Sequence, residues 1–371
     1  MLTPFRRYAF LIAVLLSCQP LLAQQLQPGF DRKEYADMLW LQFYGLKDSM
    51  QQTPPVQLEK DSYRTLRISK EVGLYNKCGI YLRKDGVVVL QLRGTVNKME
   101  SWLENFYAGM VPATGSLQLS NDYTFVYKLA SNPQATVHVG WLTGVGFLMK
   151  EVLPTLDSLV QAGHRDLMIA GHSQGGALSF LTTSFLHYHY AAMNIAVRLK
   201  TYASAAPKPG NQYYAYDFDF ISRGQMGFRV INDADWVPET PVSLQTINDY
   251  NAVNPLSNAK STIRKQKFVV RLFLNSVYGK LTRSSNKASK QFEKYLGKKL
   301  YKLAVKPLPG FAKPTLAGTM NYATAGSPVI LAANDAYRSK FVFDGQNYFV
   351  HHMLAPYLFL LDAYYPLPTA K

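Results

Sequence analysis

A serine set between two glycines, Gly171-His172-Ser173-Gln174-Gly175, is the pattern in this chain best suited to covalent chemistry. Small residues on either side let the backbone turn sharply and push the serine hydroxyl into the open, where it can attack a carbonyl carbon. An unassisted hydroxyl is a poor nucleophile at neutral pH, so it needs a base, and the base needs an acid to orient it. The seven histidines stand at 138, 164, 172, 187, 189, 351 and 352. His172 adjoins Ser173, and its side chain should point away from an exposed hydroxyl, as a packing residue. His187 and His189 lie two apart on a helical stretch and share no face, which argues against a metal site. Two acids, Asp233 and Asp235, fall in Val230-Ile231-Asn232-Asp233-Ala234-Asp235-Trp236-Val237-Pro238. A calcium loop competes for this carboxylate pair, but it would need a glycine at its sixth position and a glutamate at its twelfth, and has neither. No cofactor and no metal is implied.

These residues need elements to hold them. An apolar strand, Asp166 to Ala170, runs into the pentapeptide, and a small-residue helix, Gly175 to Tyr190, runs out of it. Val87 to Leu92, Val137 to Val139, Thr201 to Ser204 and Phe228 to Ile231 read as further strands, with helices over Phe30 to Asp48 and Met149 to Gln161. Strands alternating with helices predict an α/β fold with a mostly parallel central sheet covered on both faces. The two aspartates follow the strand Phe228 to Ile231 at its carboxyl end, where open α/β sheets place their sites. In α/β-hydrolases the chain order is serine, acid, histidine. That order leaves His351 and His352 as base candidates, since only they lie downstream of the acids.

Together with the serine pentapeptide, four segments resemble the landmarks of the class 3, or fungal-lipase-like, family of α/β-hydrolases. They are Leu92-Arg93-Gly94-Thr95 followed by Ser101-Trp102-Leu103-Glu104-Asn105-Phe106; Val137-His138-Val139-Gly140-Trp141; Ala205-Ala206-Pro207-Lys208-Pro209-Gly210-Asn211; and the Asp235 segment ending in Val237-Pro238. The resemblance covers roughly residues 70 to 240 and about 345 to 362. It implies Ser173 as nucleophile and Asp235, two residues before the Val-Pro pair, as the acid. It implies His352 as the base, five residues before Tyr357 and its apolar run, with His351 as its flank. One oxyanion donor is the backbone N–H of Gln174, just after the nucleophile at a helix N-terminus. The resemblance puts the second at Thr95. The stretch Val96 to Val111, with Trp102, Phe106, Tyr107 and Met110, reads either as a lid exposing apolar surface or as fixed core.

Charge marks a second feature. The chain has 371 residues, 48% of them hydrophobic, and a formal net charge of +16. That apolar content excludes intrinsic disorder. Between Lys260 and Lys306 stand fourteen Lys and Arg against one acid, Glu293, for a net of +13. Arg6 and Arg7 sit in the expected leader, so the chain outside the leader and the basic segment is close to neutral. Val270, Phe273, Leu274, Val277, Tyr278 and Leu281 recur at helical spacing, as do Phe292, Tyr295, Leu296, Leu300 and Leu303. Two basic amphipathic helices are therefore expected, inside an insertion at about 245–340 between the acid and the base. They read either as a cap packed on the hydrolase or as an element that docks on anionic lipid. No nucleic-acid motif accompanies the charge.

Residues 1–23 carry the layout of a signal peptide: Arg6 and Arg7, an apolar run from Tyr8 to Leu16, Pro20, and the small residue Ala23. The remaining chain, 24–371, reads as one hydrolase domain. Leu15-Leu16-Ser17-Cys18 also resembles a lipobox, which would make the protein a lipoprotein through Cys18. Cleavage after Ala23 leaves Cys78 alone, so no intramolecular disulfide would form. The expectation is a secreted or cell-envelope-attached serine esterase, acting on acylglycerol esters without cofactor, with a possible anionic membrane contact through Lys260 to Lys306. The rival readings are a phospholipase or acyltransferase on anionic lipids, and a non-catalytic lipid-binding protein on a hydrolase scaffold.

Overall fold

A computed structural model describes residues 25–46 and 62–367. The leader, Cys18 and the end of the helix expected over Phe30 to Asp48 lie outside the described residues. Thirteen strands are described: β1 Tyr63–Ile68, β2 Cys78–Arg83, β3 Val88–Leu92, β4 Met110–Pro112, β5 Thr114–Ser120, β6 Tyr123–Lys128, β7 Thr136–His138, β8 Asp166–His172, β9 Arg198–Ser204, β10 Gly210–Asn211, β11 Gly227–Asn232, β12 Tyr322–Ala323 and β13 Ser327–Leu331. The helices are α1 Arg32–Trp40, α2 Met99–Phe106, α3 Val139–Gln161, α4 Gln174–Ala192, α5 Gln212–Ile221, α6 Ala259–Arg264, α7 Phe268–Phe292, α8 Leu300–Ala304, α9 Asp335–Lys340 and α10 Leu354–Tyr364.

The central sheet has seven strands in the order β1-β2-β3-β8-β9-β11-β13. Its first three strands form an antiparallel meander, and β3, β8, β9, β11 and β13 are mutually parallel. Every residue of β8 is buried, as a central strand covered on both faces requires. Its side chains alternate between two cores. Leu167 and Ile169 join Trp141, Leu178 and Phe180 from α3 and α4, whereas Met168 and Ala170 join Tyr35, Leu39, Leu354 and Leu358 from α1 and α10. The chain thus has the α/β-hydrolase fold, a mainly parallel sheet between two helical layers.

Three sequence expectations shift. Val137 to Val139 does not join the main sheet: β7 lies in a small antiparallel sheet of order β12-β10-β7-β4. The helix expected from Met149 starts ten residues earlier, because Gly140 and Gly144 are interior helical residues pressed against α2. The two basic helices are one nearly continuous rod: α7 passes into a π-helical stretch, Glu293–Lys299, and then α8. Among the described residues, no helix is long and apolar enough to cross a membrane.

Candidate active site

Strand β8 ends at His172 and leads into Ser173, which holds φ 61° and ψ −127° before α4 begins at Gln174. Non-glycine residues seldom adopt a positive φ, so the surroundings must enforce it. They do so through close backbone approach. A Cβ on Gly171 would lie 2.3 Å from the Gly175 carbonyl carbon, and one on Gly175 would lie 2.3 Å from the Leu92 carbonyl oxygen. The Ser173 N–H donates to the Ser204 carbonyl at 2.9 Å, tying the turn to β9. The result is a sharp strand-to-helix elbow with the first, unpaired backbone donors of α4 beside the serine.

His352 and Ser173 line one cavity. His352 Nδ1 lies 2.7 Å from Asp235 Oδ2. Asp235 also accepts from the Val237 N–H at 3.0 Å and from the Tyr357 hydroxyl at 2.8 Å. Burial opposes ionisation of Asp235, but His352 and these hydrogen bonds outweigh it and hold the carboxyl below its usual range. An ionised Asp235 favours the His352 tautomer that carries its proton on Nδ1. The neighbouring candidates go elsewhere. Asp233 is exposed and accepts from the Ala333 N–H at 2.7 Å, and His351 Nδ1 meets the Tyr337 hydroxyl at 2.8 Å.

His172 does point away from the hydroxyl, yet it does more than fill space. Its Nε2 donates to the carbonyl of His352 at 2.6 Å, which leaves Nδ1 to accept from Ser204 Oγ at 2.9 Å. Ser204 Oγ lies 2.6 Å from the Tyr35 hydroxyl. Burial, then the adjacent His352, push His172 down to about 3, so it stays neutral and keeps this tautomer. The backbone of His352 is therefore anchored through β8 and β9 to α1.

On the other side of Ser173, Thr95 and Gln174 meet through their side chains. The Thr95 hydroxyl donates to Gln174 Oε1 at 2.8 Å and accepts from Asn105 Nδ2 at 2.8 Å. Gln174 Nε2 donates to Glu104 Oε1 at 2.8 Å, and Asn76 Nδ2 donates to Glu104 Oε2 at 2.5 Å. Asn105 Oδ1 accepts from Trp141 Nε1 at 2.9 Å. Glu104 is fully buried, and desolvation pushes its carboxyl up to about 8 against the two amide donors. Sequence reading missed the parts played by Glu104, Asn105 and His172. An acid set between Trp102-Leu103 and Phe106 was the available signal.

The cavity spans about 240 Å³ and is mostly apolar. Trp102, Phe349 and Trp236 form an aromatic wall, with ring centroids 5.8 and 5.5 Å apart. Leu296, from the π-helical stretch after α7, closes another side. The segment Val96 to Val111 divides between the two readings given it. Tyr107, Met110 and Val111 are buried core, Trp102 and Phe106 line the cavity, and α2 is pinned beneath by Ser101 and Glu104.

A positive-φ serine at the carboxyl end of a parallel strand, sharing a cavity with an Asp-paired histidine, places the molecule among the α/β-hydrolases. Residues 89–245 match the model of the lipase (class 3) family. A secreted mono- and diacylglycerol lipase of Gibberella zeae is 30% identical over 106 residues, covering 28% of this chain and 32% of that protein. The chain thus matches about a third of that relative's length. Among solved structures, the Lip2 lipase of Yarrowia lipolytica is 16% identical with a TM-score of 0.43, covering 59% of this chain and 77% of its own. The triacylglyceride lipase of Rhizomucor miehei is 18% identical with a TM-score of 0.42, covering 58% and 77%.

Proposed function

We propose that this protein is a serine hydrolase of lipid carboxylic esters, with acylglycerols as its substrate class. The observation that carries the reading is the strained Ser173 elbow opening into the same apolar cavity as the Asp235-paired His352. Ser173 Oγ attacks the ester carbonyl carbon while its proton passes to His352 Nε2. The tetrahedral oxyanion is held by the backbone N–H groups of Gln174 and Thr95, donors whose individual loss typically costs about 3 kcal/mol of barrier. The C–O bond to the alcohol then breaks, and that oxygen takes the proton from His352. Water, deprotonated by His352, attacks the acyl-serine; the collapse returns the proton to Ser173 and releases the fatty acid. Asp235 keeps the imidazole in the required tautomer throughout.

The Thr95 hydroxyl is engaged by Gln174 and Asn105, so its part is to fix the loop that presents its N–H. The aromatic wall and Leu296 suit an acyl chain. The chain is read as exported, by cleavage near Ala23 or by lipidation at Cys18, as one hydrolase domain with a basic insertion. Its interface partner is an anionic lipid surface met through Lys260 to Lys306.

The test compares wild type with Ser173→Ala on emulsified acylglycerol, with fluorophosphonate labelling in parallel. The wild type should release fatty acid and label at Ser173, and the variant should lose at least about 10³-fold in rate and all labelling. A labelled enzyme that frees fatty acid only from phospholipid, or transfers it to an alcohol, would replace the acylglycerol assignment. An unlabelled, inert wild type would overturn the hydrolase reading.

A further inference from the structure

The exposed flank of α7 divides sharply by residue type. At about 100° per residue, Leu274, Tyr278, Ser285, Ser289 and Phe292 fall on one side of the helix, and these are buried or half-buried against the body. The opposite side begins with two apolar turns, Phe268, Val269, Leu272 and Phe273, whose exposure runs from 54% at Leu272 to 76% at Val269. It continues with Lys280, Arg283, Lys287 and Lys290, all exposed. The helix carries no acidic residue; Glu293, which follows it, is paired with Lys298 at 2.7 Å, and Asp249, which shares a cavity with Lys290, accepts from Thr246 and Thr319. Among the described residues, no carboxylate pairs with any of the four cations.

Four adjacent large apolar side chains in water mark a surface that another phase or molecule covers. Like charge at this density opposes a second copy, and the apolar turns offer nothing to a phosphodiester backbone. A bilayer with anionic headgroups satisfies both halves at once. We infer that α7 is a two-part membrane anchor: its first two turns enter the acyl boundary of an anionic bilayer, and its following turns bind the headgroup phosphates.

The anchor is joined to the cavity. The helix runs directly into the π-helical stretch whose Leu296 lines it, and a Cβ on Gly109 would lie 2.9 Å from the Gly297 Cα, so the rod crosses the segment after α2 at backbone contact. Docking through α7 therefore holds one cavity wall at the lipid surface. The inference deepens the lipid-esterase reading and rests on it for its purpose, though not for its test.

The test uses the full chain carrying Ser173→Ala, so that binding is read without turnover, in flotation with vesicles. Binding should be strong to equimolar phosphatidylcholine and phosphatidylglycerol, weak to phosphatidylcholine alone, and diminished by salt. Replacing Lys280, Arg283, Lys287 and Lys290 by Gln should weaken binding about 1,000-fold at low salt. Replacing Phe268, Val269, Leu272 and Phe273 by Ser should abolish the fraction that resists salt. Both sets, made with Ser173 intact, should leave turnover of a short soluble ester unchanged, which excludes misfolding. Binding indifferent to anionic lipid, or an apolar variant that binds like its parent, would overturn the inference. A protein dimer in lipid-free buffer that the apolar variant abolishes would reassign the face to a second copy. Vesicle binding by a chain whose wild type hydrolyses no ester would sink the enzymatic reading and leave the anchor standing.

Discussion

Glu104 carries a distinctive electrostatic arrangement for so small a region. It sits one side chain away from Thr95, through Gln174, and is buried without a cation. Its folded value of about 8 lies above the ordinary carboxyl range, so the native state retains a proton that the unfolded chain has lost. Stability from this group is therefore full below about pH 4 and declines as pH rises toward about 8. Above that, the site gains a negative charge beside the backbone donors assigned to the oxyanion, which opposes the transition state. Glu104→Gln should remove both effects: ester turnover should hold through pH 9 where the wild type falls with a midpoint near about 8, and the variant's stability should gain on the wild type between about pH 5 and 8. An unchanged alkaline limb in a pH–rate profile would refute this. The swap is tolerable because Asn76 Oδ1, buried and without a partner, can accept from the new amide once the Asn76 side chain turns over. None of this was legible from sequence. Ser173, Asp235 and His352 stand out as candidates because each follows or precedes an apolar run in a fixed chain order, whereas the Glu104–Gln174 contact exists only because α2 crosses the start of α4.

At the scale of elements, the elbow depends on backbones meeting where side chains usually stand. Gly175→Ala would drive a methyl into the Leu92 carbonyl, within a parallel pair that has no slack on either side. It should cost at least about 2 kcal/mol in denaturant unfolding and reduce turnover by displacing Ser173. Gly279→Ala is the control, since an added Cβ there comes no nearer than 3.7 Å to an Arg283 nitrogen; it should be neutral or stabilise α7 by up to about 1 kcal/mol. The same physics explains which elements could be read. The buried run of β8 announces a central parallel strand. The start of α3 is hidden because Gly140 and Gly144 look like loop, although a Cβ on Gly140 would strike the Glu104 carbonyl oxygen at 2.0 Å. In the basic segment the expected apolar stripe is not the packed face. Phe273 and Leu281 face water while Leu274 and Tyr278 turn inward, and a π-helical turn rather than a break resets the phase at Glu293.

Over the whole molecule, charge and chemistry are segregated. Nearly all the net charge belongs to residues 260–306, while the sheet and its site are close to neutral. Salt should then act on delivery and not on the reaction. Hydrolysis of ester presented in anionic vesicles should fall as ionic strength rises past the point where the Debye length is about 8 Å, while turnover of a short soluble ester stays flat. A parallel decline of both rates would mean that the cations act at the site itself. Cys78 reinforces the division: it is buried in the core, its thiol is pushed up to about 12 chiefly by desolvation, and it offers no redox handle on activity.

The hydrogen-bond chain from Tyr35 through Ser204 and His172 to the His352 carbonyl also has a temporal meaning. It joins a residue near the start of the polypeptide to one near its end, and the Asp235–His352 pair spans a further long separation. Contacts so distant in sequence form late, after loop-closure entropy has been overcome. During synthesis the sheet through β11 can assemble with Ser173 already at its elbow, yet His352 cannot be seated until α10 has emerged and packed onto the core it shares with α1. Ser173 thus stands at its elbow without the Asp235–His352 pair beside it until the segment carrying His352 has been made and folded.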